Sequence, residues 1–116
     1  ELSGKAEEIN GFEVVLAEVP LGNPKEILQI AKQVQASSKA SAVLVGADGN
    51  SGKVGMVALL TTEHSGKASA RELISRAAPK IGGGGGGSEE MAQAGGKNAD
   101  GVAEALAEAR DYLESV

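Results

Sequence analysis

Apolar residues recur along the chain with two different periods, and the points where one period gives way to the other divide it into elements. In residues 1–9, Leu2, Ala6 and Ile9 read as the end of a helix, which Asn10-Gly11 then breaks. From Phe12 to Val19 the period is two, with Phe12, Val14 and Leu16 on one face, so a strand is predicted that Pro20-Leu21-Gly22 ends. A helix follows: Asn23 caps it, Pro24 suits its first position and Glu26 completes a capping box. Ile27, Ile30, Ala31 and Val34 fall on one face, and Ser37-Ser38 closes the element. Ala42 to Gly46 is a short, wholly apolar, β-branched run of the kind buried on both faces of a sheet. Turn chemistry over Asp48 to Gly52 and a second apolar run, Val54 to Leu60, make a hairpin with it.

The second half repeats the alternation. Ser69 and Glu72 form another capping box, and Ala70, Leu73, Ile74, Ala77 and Ile81 line one helix face. Pro79 lacks an amide donor, so the last turn loosens there and the glycines that follow start at a helix C-terminus. Glu90 to Ala94 reads as a short edge strand. Asp100 is the expected cap of a final helix with Val102, Ala105, Leu106, Ala109, Leu113 and Val116 on its buried face. The order β-α-β-β-α-loop-β-α gives a single α/β domain with a mixed sheet of four to five strands and helices packed on it.

Composition narrows what such a domain can do. At 116 residues the chain is long enough for one core, and with Phe12 and Tyr112 as its only aromatics that core is aliphatic. Two aromatics cannot build a stacking platform for single-stranded nucleic acid. The formal net charge of −5 is opposite in sign to that of a freestanding nucleic-acid binder, so any such contact must be local and shape-based. The absence of cysteine excludes disulfides and thiolate metal sites, and a single histidine cannot form a cluster. Apolar runs fall short of the roughly 20 residues that span a bilayer, so no membrane association is expected. The opening Glu1-Leu2-Ser3 has neither a signal-peptide pattern nor an initiator Met, which reads as a segment of a longer cytoplasmic polypeptide.

Six consecutive glycines, Gly82 to Gly87, lie between two helical patterns and lead into a second pair, Gly95-Gly96. Without side chains they can take positive φ and let a ligand approach the backbone, so they read as a backbone-presenting loop. Gly46 to Lys53 does not make a phosphate loop, because glycine would be required at Ala47 and a hydroxyl at Val54. His64, alone among polar residues, reads as a solvated loop histidine, and Glu89-Glu90 as a solvated pair. Arg76 and Lys80, four apart, share a helix face near the glycines, and Lys97 follows them. By themselves these cations read as ordinary surface charge. They become phosphate contacts if the loop brings an RNA backbone to them.

The stretch Gly-Gly-Gly-Gly-Gly-Gly-Ser-Glu-Glu-Met-Ala-Gln-Ala-Gly-Gly resembles the glycine-rich signature of the DHHA1 (C-Ala) domain at the C-terminal end of alanyl-tRNA synthetases. That signature runs Gly-Gly-x-Gly-Gly-Gly, four variable residues, then Ala-Gln-x-Gly-Gly. Gly82 and Gly83, then Gly85, Gly86 and Gly87, match its first glycines; Ala92-Gln93 match its Ala-Gln pair, and Gly95-Gly96 its last pair. The family often has Lys at the place of Gly84 and Arg at the place of Ser88. The resemblance covers residues 9–116 and implies a DHHA1-like globular domain at 10–116, with 1–9 as the tail of a preceding helical segment.

It further implies a non-catalytic module that contacts the outer corner of the tRNA for alanine and couples aminoacylation with editing. No cofactor is expected in this segment. The partners implied are tRNA, the other domains of the parent synthetase and a second copy in a homodimer. The residues expected at the RNA are Arg76, Lys80, Gly82, Gly83, Gly85, Gly86, Gly87, Ser88, Ala92, Gln93, Gly95, Gly96 and Lys97. Two alternatives stand beside this reading: the substrate-binding subdomain of a DHH-type phosphoesterase acting on short oligonucleotides, and an oligomerisation module. The phosphoesterases tend to carry histidine directly after the glycines, where this chain has Ser88.

Overall fold

A computed structural model describes residues 6–116. Six strands form one mixed sheet in the order β1-β2-β3-β4-β6-β5. They are β1 (Glu7–Ile9), β2 (Phe12–Val19), β3 (Ser41–Ala47), β4 (Val54–Leu59), β5 (Gly84–Gly87) and β6 (Met91–Gly96). The helices are α1 (Pro24–Ser38), α2 (Thr62–Ser65), α3 (Ala70–Ala77) and α4 (Val102–Glu114). Only β2 and β3 are parallel, joined by the crossover helix α1; every other neighbouring pair is antiparallel.

The predicted signals account for most of this. Asn23 caps α1 by accepting the Lys25 N–H at 2.9 Å, and Pro24 occupies its first turn. Ser69 accepts the Glu72 N–H and starts α3. Pro79 ends α3 at Ala77; a 3-10 turn over Ala78–Ile81 replaces the last helical turn, and Gly82, at φ 72°, stops it in the left-handed region. The apolar runs of β3 and β4 are the central strands, buried on both faces. One face, with Val15, Leu44 and Val57, packs on Ile27, Ala31 and Val34 of α1. The other, with Val43, Met56 and Ala92, packs on α3 and α4 through Leu73, Ile74, Ala105 and Leu113.

Several expectations are corrected. The sheet has six strands, not four to five. Of the segment expected as a helical tail, residues 1–5 lie outside the described residues, and Glu7–Ile9 form strand β1. Asn10 (φ 53°) and Gly11 (φ 87°) turn β1 directly into β2, so pairing overrides the helical spacing. The strand near residue 91 is interior, because the glycines form the edge strand beyond it. Asp100 lies in a 3-10 turn, and α4 starts without a side-chain cap. Val116 is exposed, while Tyr112 joins the core and its hydroxyl accepts the Ser69 N–H at 2.8 Å.

His64 is the largest reversal. It is 1% exposed, stacked on Phe12 with ring centroids 4.3 Å apart. The Ser41 hydroxyl accepts the Thr61 N–H at 3.0 Å and is hydrogen-bonded to His64 Nδ1 at 2.8 Å. Burial holds the ring's pKa below the usual histidine value, which favours its neutral form.

Candidate nucleic-acid interface

The glycine run is strand rather than loop. β5 pairs with β6 in the register Gly84↔Gly95, Gly85↔Ala94, Gly86↔Gln93 and Gly87↔Ala92. Glycine is a poor strand former, so the surroundings must supply the order. Ser88 closes the turn: its N–H donates to the Met91 carbonyl at 2.7 Å, and its hydroxyl accepts the Met91 N–H at 3.2 Å. The first free amides of α3 hold that turn, with Ala70 N–H on the Glu89 carbonyl and Arg71 N–H on the Ser88 carbonyl.

The glycines divide into two sets by face. A Cβ at Gly83, Gly85, Gly87 or Gly96 would lie 1.7–2.3 Å from a carbonyl oxygen, of Gly95, Gln93, Met91 and Ile81 respectively. These four are glycine because the backbones meet there. At Gly84 and Gly86 a Cβ meets nothing within 4 Å, and at Gly95 only the Val54 carbonyl oxygen at 3.9 Å. Since Gly84 and Gly86 pair with Gly95 and Gln93, which pair in turn with Gly55 and Val57, all of these face the α1 side. The open glycines thus form a bare shelf on that face. Gly84, where the family often carries Lys, has room for the longer side chain.

Where the shelf ends, a groove of about 440 Å³ opens between the start of α1 and the ends of β4 and β6. Gly82, Gly83, Gly95 and Gly96 line it together with Gly22, Pro24 and Val54. Lys53 and Lys97 are the charged lining residues. The Lys53 carbonyl accepts the Asp48 N–H at 2.8 Å, and the Lys97 N–H donates to Ile81 at 3.0 Å, so both backbones are fixed while both side chains stay exposed. Asp48, in the same hairpin turn, has its carboxyl held below the usual range, first by the Asn50 N–H and last by Lys53.

Of the residues expected at RNA, five (Gly82, Gly83, Gly95, Gly96, Lys97) gather at this groove, and Gly85, Gly86 and Gly87 lie in the adjoining strand. Three do not fit. Ala92 is fully buried under the α3–α4 face. Arg76 sits on α3, across the sheet, paired with Glu72 at 3.0 Å and 5.2 Å above the Tyr112 ring. Lys80 belongs to the 3-10 turn, so it has lost the helical spacing that would align it with Arg76. Lys53 lines the groove but was missed, because its hairpin carries no signal linking it to glycines 29 to 43 positions ahead. Only the β4–β6 pairing, Val54↔Gly96, brings it there.

Among the described residues no helix is long and apolar enough to cross a membrane, and no cluster of potential metal ligands occurs. The chain matches the DHHA1 domain over residues 11–115. It is 41% identical over 108 residues to an alanine–tRNA ligase of Lacticaseibacillus paracasei, covering 92% of this chain and 12% of that protein. It is 34% identical over 113 residues to the alanine–tRNA ligase of Idiomarina loihiensis, covering 97% and 13%. The chain thus spans about an eighth of these curated relatives. The crystal structure of the C-Ala domain from Aquifex aeolicus alanyl-tRNA synthetase superposes with a TM-score of 0.81 at 27% identity, covering 95% of this chain and 98% of that one. RecJ from Thermus thermophilus shares the fold at a TM-score of 0.64 and 18% identity, covering 99% of this chain and 16% of RecJ. With its signature folded into β5 and β6, the chain belongs to the DHHA1 domain family, in the form that alanyl-tRNA synthetases carry as C-Ala.

Proposed function

We propose that this chain is a tRNA-contacting, non-catalytic module of an alanyl-tRNA synthetase, docking on the outer corner of the tRNA for alanine. By holding one tRNA there it couples aminoacylation with editing, both performed by other domains of the parent. It needs no cofactor of its own and works in the cytoplasm. The observation that carries this reading is the groove. In a chain of net charge −5, its charged lining residues are both lysines, and they flank the signature glycines. Phosphate contacts of this kind position RNA without reading sequence, and RNA is widely recognised by shape.

The phosphoesterase alternative draws only on the shared RecJ fold, and a fold does not specify chemistry. A second copy of the chain, packed to form a homodimer, is compatible with the tRNA reading.

The test is a salt titration of the chain against the tRNA for alanine, with an elbow-disrupted transcript as control. Salt-sensitive binding that prefers the intact elbow is expected. Lys97→Glu should weaken it and reduce the log–log salt slope by about one, as one lost phosphate contact does. Equal affinity for both transcripts would overturn the outer-corner assignment.

A further inference from the structure

We infer that the open edge of β5 accepts an extended segment of another protein as a further antiparallel strand, one that carries bulky side chains at alternate positions. The inference stands apart from the RNA reading, because it uses the outer edge of β5 and not the lysine groove.

Three observations carry it. The first is hydrogen bonding. The Ser88 N–H donates to the Met91 carbonyl at 2.7 Å. Bonded pairs alternate along an antiparallel ladder, so the register puts Gly84 and Gly86 in bonded pairs with Gly95 and Gln93. The same alternation turns the amides and carbonyls of Gly85 and Gly87 away from β6. Among the described residues no strand lies beyond β5, and all four of its glycines are exposed. Edge strands are commonly guarded by charge or proline, and β5 has neither, whereas β1 sets Glu8 against Glu13.

The second observation is space. Sterics explain glycine at positions 83, 85, 87 and 96 but not at 84, 86 and 95, where a side chain would project into open space. A strand laid along β5 sets residues opposite Gly84 and Gly86 at non-bonded positions, where cross-strand side chains lie closest. Those side chains share the α1 face, so they reach over the bare glycines toward Met91, which is partly buried there. A ring laid over a strand glycine covers backbone that the glycine leaves open. A second copy of this chain does not supply such side chains, because its own edge strand is glycine. The third observation is charge, which sets direction. β5 ends at the turn holding Glu89 and Glu90, and it starts between Lys80 and Lys97. Arg71 and Asp100, near the same two ends, reduce that contrast without reversing it. An antiparallel segment therefore complements β5 when a cation precedes its bulky residues and a carboxylate follows them.

The test uses the chain itself and the peptide Lys-Thr-Tyr-Thr-Tyr-Thr-Glu, blocked at both termini so that only its two side-chain charges remain. Binding should slow hydrogen exchange at the Gly85 and Gly87 amides and change little at Gly84 and Gly86, which are already bonded to β6. Replacing both tyrosines of the peptide by alanine should weaken binding at least about fivefold, the upper end of one cross-strand pair. Reversing the peptide sequence should weaken it at least about twofold, as misplaced surface charges do. Gly86→Val, its folding checked by urea unfolding, should bind about fivefold more weakly because its side chain occupies the place of a ring. Gly84→Val serves the same purpose if Gly86→Val does not fold. No binding at millimolar peptide would overturn the inference, as would binding that leaves exchange at Gly85 and Gly87 unchanged. Equal affinity for the tyrosine and alanine peptides, or a folded Gly86→Val chain that binds like the parent, would do the same. Equal affinity for the reversed peptide would overturn the direction assigned to the added strand. A dimeric chain whose Gly85 and Gly87 amides are protected without peptide would make a second copy the occupant and overturn the choice of a foreign strand.

Discussion

At one edge of the sheet, β1 presents Glu7, Glu8 and Ile9; at the other, β5 presents four glycines. The β1 edge is short and acidic. Glu8 faces Glu13 directly across the strand pair, a like-charge arrangement that repels both a further strand and a phosphate. It is anchored from several sides. Arg110 on α4 grips Glu7 through both guanidinium nitrogens, and that guanidinium holds the Glu7 carboxyl below its usual range. The Asn10 side chain donates to the last carbonyls of α4, at Leu113 and Glu114, and the Phe12 ring stacks on buried His64. The β5 strand has no side chain of its own to anchor it. Apart from the Ser88 hydroxyl at its turn it is held by backbone, with carbonyl oxygens so close that only glycine fits at alternate positions. The lesson concerns charge. A chain of net charge −5 carries acids at the β1 edge and along α4, at Glu104, Glu108, Asp111 and Glu114, and at Glu89 and Glu90 in the β5–β6 turn, yet lines the groove beside the glycines with lysines alone among charged residues. The overall charge therefore does not describe the local field an RNA would meet.

The strongest way to break this contrast is to put a side chain on the glycine edge. Gly85→Val drives a Cβ to 2.0 Å from the Gln93 carbonyl oxygen and should cost about 3 kcal/mol or more, the upper range of overpacking, or unpair β5 altogether. Gly86→Val meets open space and should change stability by less than about 1 kcal/mol. Urea unfolding of the two variants reads the difference directly. Equal losses would show that the two faces of β5 are not distinct.

The next effect belongs to the buried His64 that backs the other half of the sheet, through Phe12 of β2 and Ser41 of β3. Ser41→Ala removes the hydroxyl that pairs with His64 Nδ1 and the Thr61 amide and leaves both unpaired, at a cost of about 1–3 kcal/mol. The same site sets a pH dependence. Burial lowers the folded pKa of His64 below 6.5, so between the two values the unfolded chain binds more protons. The stability held by neutral His64 is complete above about pH 6.5 and is lost progressively as pH falls toward the folded value. His64→Gln should flatten this part of the profile of unfolding midpoint against pH. A wild-type slope retained in that variant would assign the dependence to carboxylates instead.

Asn10→Ala is expected to cost about 1 kcal/mol, through lost donors to the α4 carbonyls and a less favourable left-handed φ. The smallest effect is that of Arg110→Gln. Both side chains of the pair are about 40% exposed, so its loss should amount to under about 1 kcal/mol and fade in high salt. A salt-independent loss from Arg110→Gln would mean that its aliphatic stem, rather than the ion pair, holds β1.

Local chemistry in the sequence determined much of this protein. The caps at Asn23 and Ser69, the break at Pro79, the hairpin over Asp48 to Gly52 and the doubly buried β3 and β4 follow from signals that act within a few residues. The resemblance of the glycines and the Ala-Gln pair to the DHHA1 signature also marked the family correctly. What only the tertiary structure decided is pairing between distant segments. Glycine has little strand preference of its own, so β5 exists because β6, the amides of α3 and close backbone contact impose it. His64 sits among polar neighbours in sequence, yet Phe12, 52 positions away, covers its ring, and Ser41 satisfies its nitrogen. Lys53 becomes a neighbour of the glycines only when β4 pairs with β6. Ala92 leaves the expected contact set for the converse reason, since period two turns it inward while Gln93 faces α1. Turns and caps are decided by nearest neighbours along the chain, whereas edges, buried polar groups and grooves are decided by which strands lie side by side.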